Sequence, residues 1–430
     1  MGFLLNCIEC GKQYEPAAAG YLCGCGGLLD IYIDIDQAKT QVTLEKFDER
    51  AKNSSPGRSS GVWRYKELIV PDFDNDAIVS IHEGNTRLYD VPQLAKSLGL
   101  DALQIKHEGE NPSGSFKDRG MTVAVSRARQ QGAKIIACAS TGNTSASMAL
   151  YAARCGIKAL VLVPEGKVSK GKLAQTIAYG AITIEIEGDF DDCMKMIMDG
   201  AQSGMIYPMN SVNPFRPAGQ KTIIWELLQQ KNWNPPDWIV FPAGNLGNYS
   251  AFGLAIQEFY DIGLLKKKPR LAGVQAAGAN PFYKSYCSQF ENRYTVRAET
   301  LATAIRIGNP VNYPRAVRAL KWTDGVVTEV DDQEIMDAKA QVARGGIGAE
   351  PSSCAAVAGL RRLLKENIIK SDDNVVVIFT GHMLKDSEST LSYHTGKIPG
   401  IDSRYAGKLY KLKPTISHLG KFIEKELEKN

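Results

Sequence analysis

The 430-residue sequence is poor in the residues and patterns that mark several large protein classes. Histidine occurs five times, scattered, with no H-E-x-x-H pair, so a catalytic zinc held on a histidine helix is excluded. No G-x-S-x-G elbow is present, and the separated histidines nominate no serine triad. No apolar run approaches a membrane span, and "MGFLLNCIEC" lacks the basic start and apolar stretch of a secretory signal. A net charge of +4, evenly spread, is too small to argue for a nucleic-acid partner. Nine cysteines in a chain of this length do not make a disulfide scaffold. Cys138, Cys155, Cys193, Cys287 and Cys354 stand singly, so reduced thiols in a cytoplasmic, soluble protein of about two or three domains are expected.

The other four cysteines cluster. Cys7 and Cys10, then Cys23 and Cys25, form two close pairs in "CIECGKQYEPAAAGYLCGCGG". Thiolates so arranged can close a tetrahedral zinc site. The first pair has the usual two-residue spacer and the second only one, which leaves both a zinc ribbon and a degenerate ribbon open. A hydrophilic stretch from Lys46 to Arg64, with "NSSPGRSSG", reads as a connector. Neither an internal repeat nor a low-complexity tract occurs. From about Ala102, short runs such as "KIIACAS", "KALVLVP", "AITIEI" and "DWIVFP" alternate with helical patterns. Runs of Val, Ile and Ala without alternation suit strands buried on both faces, which predicts an α/β fold with parallel sheets. Ligands of such folds sit where strands end and helices begin.

Three of those junctions are unusual: "TGNTSAS" after "KIIACAS", "AGNLGN" after "DWIVFP", and "GHMLKD" after "NVVVIFT". Gly244 and Gly247 would let backbone N–H groups converge on an anion at a helix start. The dinucleotide pattern G-x-G-x-x-G is absent there. "GKVSKGKL" from Gly166 imitates a nucleotide loop but has Leu173 where a metal-binding hydroxyl belongs. Then there is Lys117, in "NPSGSFKDRG", at the start of an apolar helix. The positive end of the helix dipole repels a lysine, so helix stability did not select it. A helix start and an enclosed site lower an amine's pKa, and a neutral amine attacks an aldehyde. A phosphate cradle plus such a lysine fits a Schiff base to pyridoxal phosphate; a solvated lysine beside Asp118 is the plainer alternative.

"NPSGSFKDRGM", "CASTGNTSAS", "NSVNPFRPAGQKT", "AGNLGN", "TLATAIRIGNP", "EPSSCAA" and "FTGHMLKD" together resemble the successive signature stretches of the threonine synthases. The likeness runs in order from Ser80 to Asp386, with weaker extensions as in the longer, plant-like branch. It implies a fold-type II pyridoxal-phosphate enzyme with two parallel-sheet α/β subdomains plus a small N-terminal zinc-ribbon-like segment. The expected division is a ribbon over 1–35, a connecting arm over 36–78, a catalytic core over 79–390 with its smaller subdomain at about 125–210, and a C-terminal extension over 391–430. The end of that extension, "KLKPTISHLGKFIEKELEKN", has the pattern of an exposed amphipathic helix, and a solvated tail packed on the core is the preferred reading.

The resemblance implies roles one position at a time. Lys117 matches the lysine that carries the cofactor and later moves the α proton. Asn143 matches the partner of the ring hydroxyl. Gly244, Asn245, Leu246, Gly247 and Asn248 match the loop around the cofactor phosphate, and Thr380 the residue facing the pyridine nitrogen. The implied reaction is a lyase step of threonine biosynthesis, O-phospho-L-homoserine and water giving L-threonine and phosphate. Its substrate phosphate needs a second anion site, for which Ser140, Thr141, Asn210, Ser211 and Arg216 are the candidates. A homodimer is the family's habit. The branch includes enzymes activated by S-adenosylmethionine, but the N-terminal segment is expected only to cover core surface or to help dimerise. A threonine or serine dehydratase, or a β-replacing enzyme of the same fold, would lack the second phosphate site that "NSVNPFR" and "RIGNP" suggest. Retention of Lys117, Asn143 and "GNLGN" argues against a cofactor-free binding protein.

Overall fold

"WIVFP" and "VVVIF" carry no polar side chain, and both become strands buried at all five positions. A computed structural model describes residues 2–16, 20–52, 59–166 and 170–428. Residues 53–58 of the expected connector, 167–169 of the nucleotide-loop imitation, and the last two residues of the extension lie outside that description.

Among the described residues, thirteen strands form three sheets. β1 (Phe3–Cys7), β2 (Gln13–Tyr14) and β3 (Leu29–Ile33) make a small antiparallel sheet in the order β2-β1-β3. β4 (Leu88–Asp90) and β5 (Leu103–His107) belong to a second sheet. β6 (Ile135–Ala139), β7 (Lys158–Pro164), β8 (Ile182–Ile186) and β9 (Tyr207–Pro208) form a third, all parallel, ordered β8-β7-β6-β9. β10 (Trp238–Pro242), β11 (Arg270–Ala276), β12 (Val326–Val330) and β13 (Val375–Phe379) complete the second sheet, ordered β12-β11-β10-β13-β5-β4. Every pairing in it is parallel except β4 with β5. Helices cross between parallel neighbours, as that geometry requires. The helix Pro351–Lys365, with eleven buried residues from Pro351 to Leu363, packs across β10 to β13.

Two expectations change. The described residues of the arm over 36–78 are folded: Leu44–Ala51 is a helix, and Val62, Trp63, Arg64, Tyr65, Leu68 and Ile69 are buried. Charge made this stretch look like a linker, but Arg64 is buried because Glu226 pairs with it at 2.9 Å. The end of the C-terminal extension does form a helix, Ile416–Leu427, none of whose residues is buried, so this helix is not packed on the core, whereas Tyr393 and Ile398 earlier in the extension are buried with Met336 and Ala340. On the helix's apolar stripe, Phe422 meets Tyr410 edge to face, ring centroids 4.7 Å apart.

Candidate active site

The helix Lys117–Gln130 opens on Lys117 itself, without a side-chain cap. Its neighbours explain how the turn is held. Arg119 is fully buried and grips Glu108 through Nε at 2.6 Å and Nη2 at 2.7 Å, and Glu226 through Nη2 at 2.7 Å. Asp118 accepts from the Ser113 N–H at 2.6 Å and from the Ser147 hydroxyl at 2.5 Å. These flanking anchors leave Lys117 half-buried and without a carboxylate in contact among the described residues. Burial, then the nearby Arg216 guanidinium, brings its amine down to about 7; Glu350 opposes the shift.

Arg216 is near because two helices meet backbone to backbone. A Cβ on Gly219 would lie 2.0 Å from the Arg119 carbonyl oxygen, and one on Gly120 would lie 2.6 Å from that of Arg216. Only glycine permits this approach. Arg216 is buried, with Nη1 donating to the Met209 carbonyl at 2.5 Å and Nε without a partner. Burial lowers it to about 10, which Cys138 and Asp118 partly offset. A buried cation without a hydrogen-bonded carboxylate is costly unless an anion joins it.

The remaining expected residues converge from both parallel sheets, at the carboxyl ends of β6, β9, β10 and β13. Ser140 and Thr141 are half-buried between β6 and the helix Asn143–Cys155, with the Gly142 N–H on Ser140 Oγ at 3.3 Å. Asn210 is spent on the backbone of Ala139, donating at 2.9 Å and accepting at 3.0 Å. Ser211 Oγ accepts from Asn245 Nδ2 at 2.7 Å, which joins the two sheets' loops. Leu246 is left-handed, φ 61, just before the helix Gly247–Ile262. This left-handed residue turns the chain sharply from the strand end into that helix. Thr380 Oγ1 lies 3.0 Å from Ser353 Oγ, which also accepts the N–H groups of Thr380 and Gly381 at 2.9 and 3.0 Å.

Asn143 does not stand free. Its Nδ2 donates to both oxygens of Glu350, at 3.3 and 3.1 Å. Sequence reasoning passed over Glu350, although it lies in "EPSSCAA". The available signal was a glutamate at the N-cap of Pro351–Lys365, a place where it makes no cap bond. Burial pushes its carboxyl up, against the Asn143 amide and the lysines Lys385 and Lys117.

The donor set fits a phosphorylated pyridine aldehyde. The N–H groups of Gly244 through Asn248 have no acceptor among the described residues, and they open a helix. The buried amides of Asn248 and Gln220 each leave an oxygen unpartnered, Gln220 Oε1 only 3.3 Å from where a Cβ of Gly247 would stand. A low-pKa lysine and a neutral strand-end hydroxyl complete the set. Apart from this site, the Sγ atoms of Cys7, Cys10, Cys23 and Cys25 all lie within 4.8 Å of one another.

Comparison with known proteins points to the same cofactor. Residues 79–381 match the family of pyridoxal-phosphate dependent enzymes. The threonine synthase of Methanocaldococcus jannaschii is 46% identical over 390 residues, 90% of this chain and 94% of that one. Threonine synthase 2, chloroplastic, of Arabidopsis thaliana is 39% identical over 430 residues, 97% and 83% of the two chains. The solved threonine synthase of Escherichia coli, 17% identical, superposes with a TM-score of 0.68 over 98% of this chain and all of that one, which bears on the fold alone. With relatives this similar along most of their length, and two largely parallel sheets, the chain belongs to the threonine synthases, within the pyridoxal-phosphate dependent enzymes.

Proposed function

We propose that the chain converts O-phospho-L-homoserine and water into L-threonine and phosphate with Lys117 as cofactor carrier and proton-transfer group. The observation that carries this reading is an amine brought to about 7 beside a buried arginine that has no hydrogen-bonded carboxylate among the described residues. Pyridoxal phosphate, when bound, supplies an electron sink that makes the α proton of an amino acid removable. The loop Gly244–Asn248 would hold its phosphate on free amides, with Asn143 facing the ring hydroxyl and Thr380 the ring nitrogen. A hydroxyl cannot keep that nitrogen protonated as a carboxylate would, so the sink is mild.

Lys117 Nζ would take the α proton and return it, since an amine near 7 serves as base and as acid at neutral pH. Arg216, with Ser140, Thr141 and Ser211, would grip the substrate's own phosphate through charge-assisted hydrogen bonds and retain it as it leaves the γ carbon, while Asn210, tied to the Ala139 backbone, would hold that strand end in place. One C–O bond to phosphate breaks, and one C–O bond from water forms at the β carbon. Water labelled with heavy oxygen therefore tests the reading. The label should enter the threonine hydroxyl and not the phosphate. Label in the phosphate, with homoserine as product, would mean simple phosphatase chemistry; ammonia and a 2-oxo acid would mean a dehydratase. The same reading carries a cytoplasmic homodimer, open to sedimentation and cell fractionation.

A further inference from the structure

The ribbon touches the catalytic core through an unbroken set of contacts. In the register of β1 with β3, Cys7 stands opposite Leu29 and Asn6 opposite Asp30. The Leu29 carbonyl accepts from Arg315 Nη2, and Asp30 pairs with Arg315 Nε at 2.8 Å and with Arg318. Arg315 is fully buried and passes Nη1 to Asn312 Oδ1 at 2.8 Å. Asn312 Nδ2 donates to the Asn245 carbonyl at 3.1 Å, and Asn245 Oδ1 accepts from the Val311 N–H at 2.8 Å. Asn245 is the second residue of the loop assigned to the cofactor phosphate. Elsewhere Phe3 meets Phe215, the neighbour of Arg216, edge to face at 6.1 Å, and Tyr21 meets Tyr207 of β9 at 5.5 Å.

What closes the ribbon is its sulfur cluster. Sγ separations are 3.6 Å for Cys7–Cys25, 3.5 Å for Cys10–Cys23 and 3.5 Å for Cys10–Cys25. These are too long for disulfides. A Zn–S bond of about 2.3 Å puts tetrahedral sulfurs about 3.8 Å apart, close to what is seen. Tyr14 Oη lies 3.1 Å from Cys23 Sγ, an outer partner of the kind that orients metal ligands. A Cβ on Gly27 would stand 2.7 Å from Cys7 Sγ, so the backbone is wrapped tightly on the cluster. With a two-residue β2, so small a sheet has little core of its own to set its shape.

We propose that Cys7, Cys10, Cys23 and Cys25 bind one zinc ion as thiolates, and that the metal-closed ribbon positions the cofactor-phosphate loop through Asp30, Arg315, Asn312 and Asn245. Binding releases the thiol protons to solvent. The ion takes no part in the reaction. This inference rests on the reading that Gly244–Asn248 holds the cofactor phosphate, and the experiment separates the two.

Holoenzyme purified without chelator is assayed for zinc and iron, and pyridoxal phosphate binding to the stripped protein is titrated by absorbance. About one zinc per chain is expected, one closed four-thiolate site. Cys10→Ser/Cys25→Ser should lose the zinc and bind pyridoxal phosphate about tenfold more weakly, the low end for loss of an outer-layer support. Asp30→Asn, which leaves every cysteine in place, should keep the zinc and weaken the cofactor comparably; it also serves if the cysteine variant fails to fold. Asn248→Ala is the control on the loop. If it binds the cofactor normally, the loop assignment is wrong. If it binds weakly while Asp30→Asn and the zinc-free protein bind normally, the positioning role is overturned. Iron in place of zinc, or no metal in the native protein, overturns the zinc site.

Discussion

The backbone N–H of Phe116 donates to the carbonyl oxygen of Thr380 at 2.9 Å. The residue before Lys117 and the residue assigned to the ring nitrogen are thereby fixed to one another. A second tie, from the His382 N–H to the Gly114 carbonyl at 2.9 Å, keeps the two segments in register. The strand end is held in turn by Ser353, whose hydroxyl accepts two N–H groups.

Ser353→Ala should therefore cost more than a surface hydroxyl. It strands the buried N–H groups of Thr380 and Gly381, at about 1–3 kcal/mol for an unsatisfied buried donor. The melting temperature should fall, and the visible band of the bound cofactor should shift as Thr380 loosens. An unchanged spectrum and melting temperature would mean that Ser353 does not hold the strand end.

Much of this site is legible locally, and some of it is not. Lys117 stands out because it contradicts the helix dipole, and "AGNLGN" because glycines follow a five-residue apolar strand. Glu350 is invisible by such reasoning: its partner Asn143 is 207 residues away, and no local pattern announces the pairing. Arg119 and Glu226 likewise read as ordinary surface charges until tertiary structure buries them 107 residues apart in sequence. The arm over 36–78 misleads for the same reason. Its charges look solvated, while Arg64 is consumed by Glu226 and the apolar residues beside it enter the core.

Arg216→Ala should retain pyridoxal phosphate and lose catalytic efficiency. Removing a charge-assisted phosphate contact costs on the order of 2–4 kcal/mol, or about 30- to 1000-fold in kcat/KM. Arg216→Lys should recover only part, since a lysine cannot offer the bidentate fork. Loss of the cofactor in Arg216→Ala would mean that the two anion sites are exchanged.

Lys117 predicts a pH profile. With the amine near 7, its neutral fraction, and so the rate at which cofactor-free protein captures pyridoxal phosphate, should rise through pH 7 and level off above it. An ordinary lysine would give a rate that climbs toward 10.5. Because Arg216 helps depress the amine, Arg216→Gln should move the midpoint upward. Stopped-flow absorbance across pH 6 to 10 reads both, and a midpoint near 10 would contradict the assignment.

Glu226 governs acid stability. Burial alone would push its carboxyl up, but Arg119, Lys106 and Arg64 around it prevail and hold it well below the usual carboxylate range. Its stabilisation is thus complete above the unfolded value near 4.5 and is lost as pH falls through the lower folded value. Glu226→Gln should destabilise by about 3–5 kcal/mol near neutral pH, the cost of stranding buried cations, and should flatten the acid limb of the stability curve. Denaturant titrations at several pH values test it. An equal loss at pH 3 and pH 7 would show that the charge is not the cause.

On the proposed reading, Lys117 carries the cofactor and moves the proton in threonine formation. The most direct measurement incubates purified protein and its Lys117→Ala variant with O-phospho-L-homoserine and follows threonine, phosphate and the visible spectrum together. The native protein should release threonine and phosphate in equal amounts. The Lys117→Ala protein should be folded, with neither turnover nor the native absorption band. A yellow, active Lys117→Ala protein would contradict the reading.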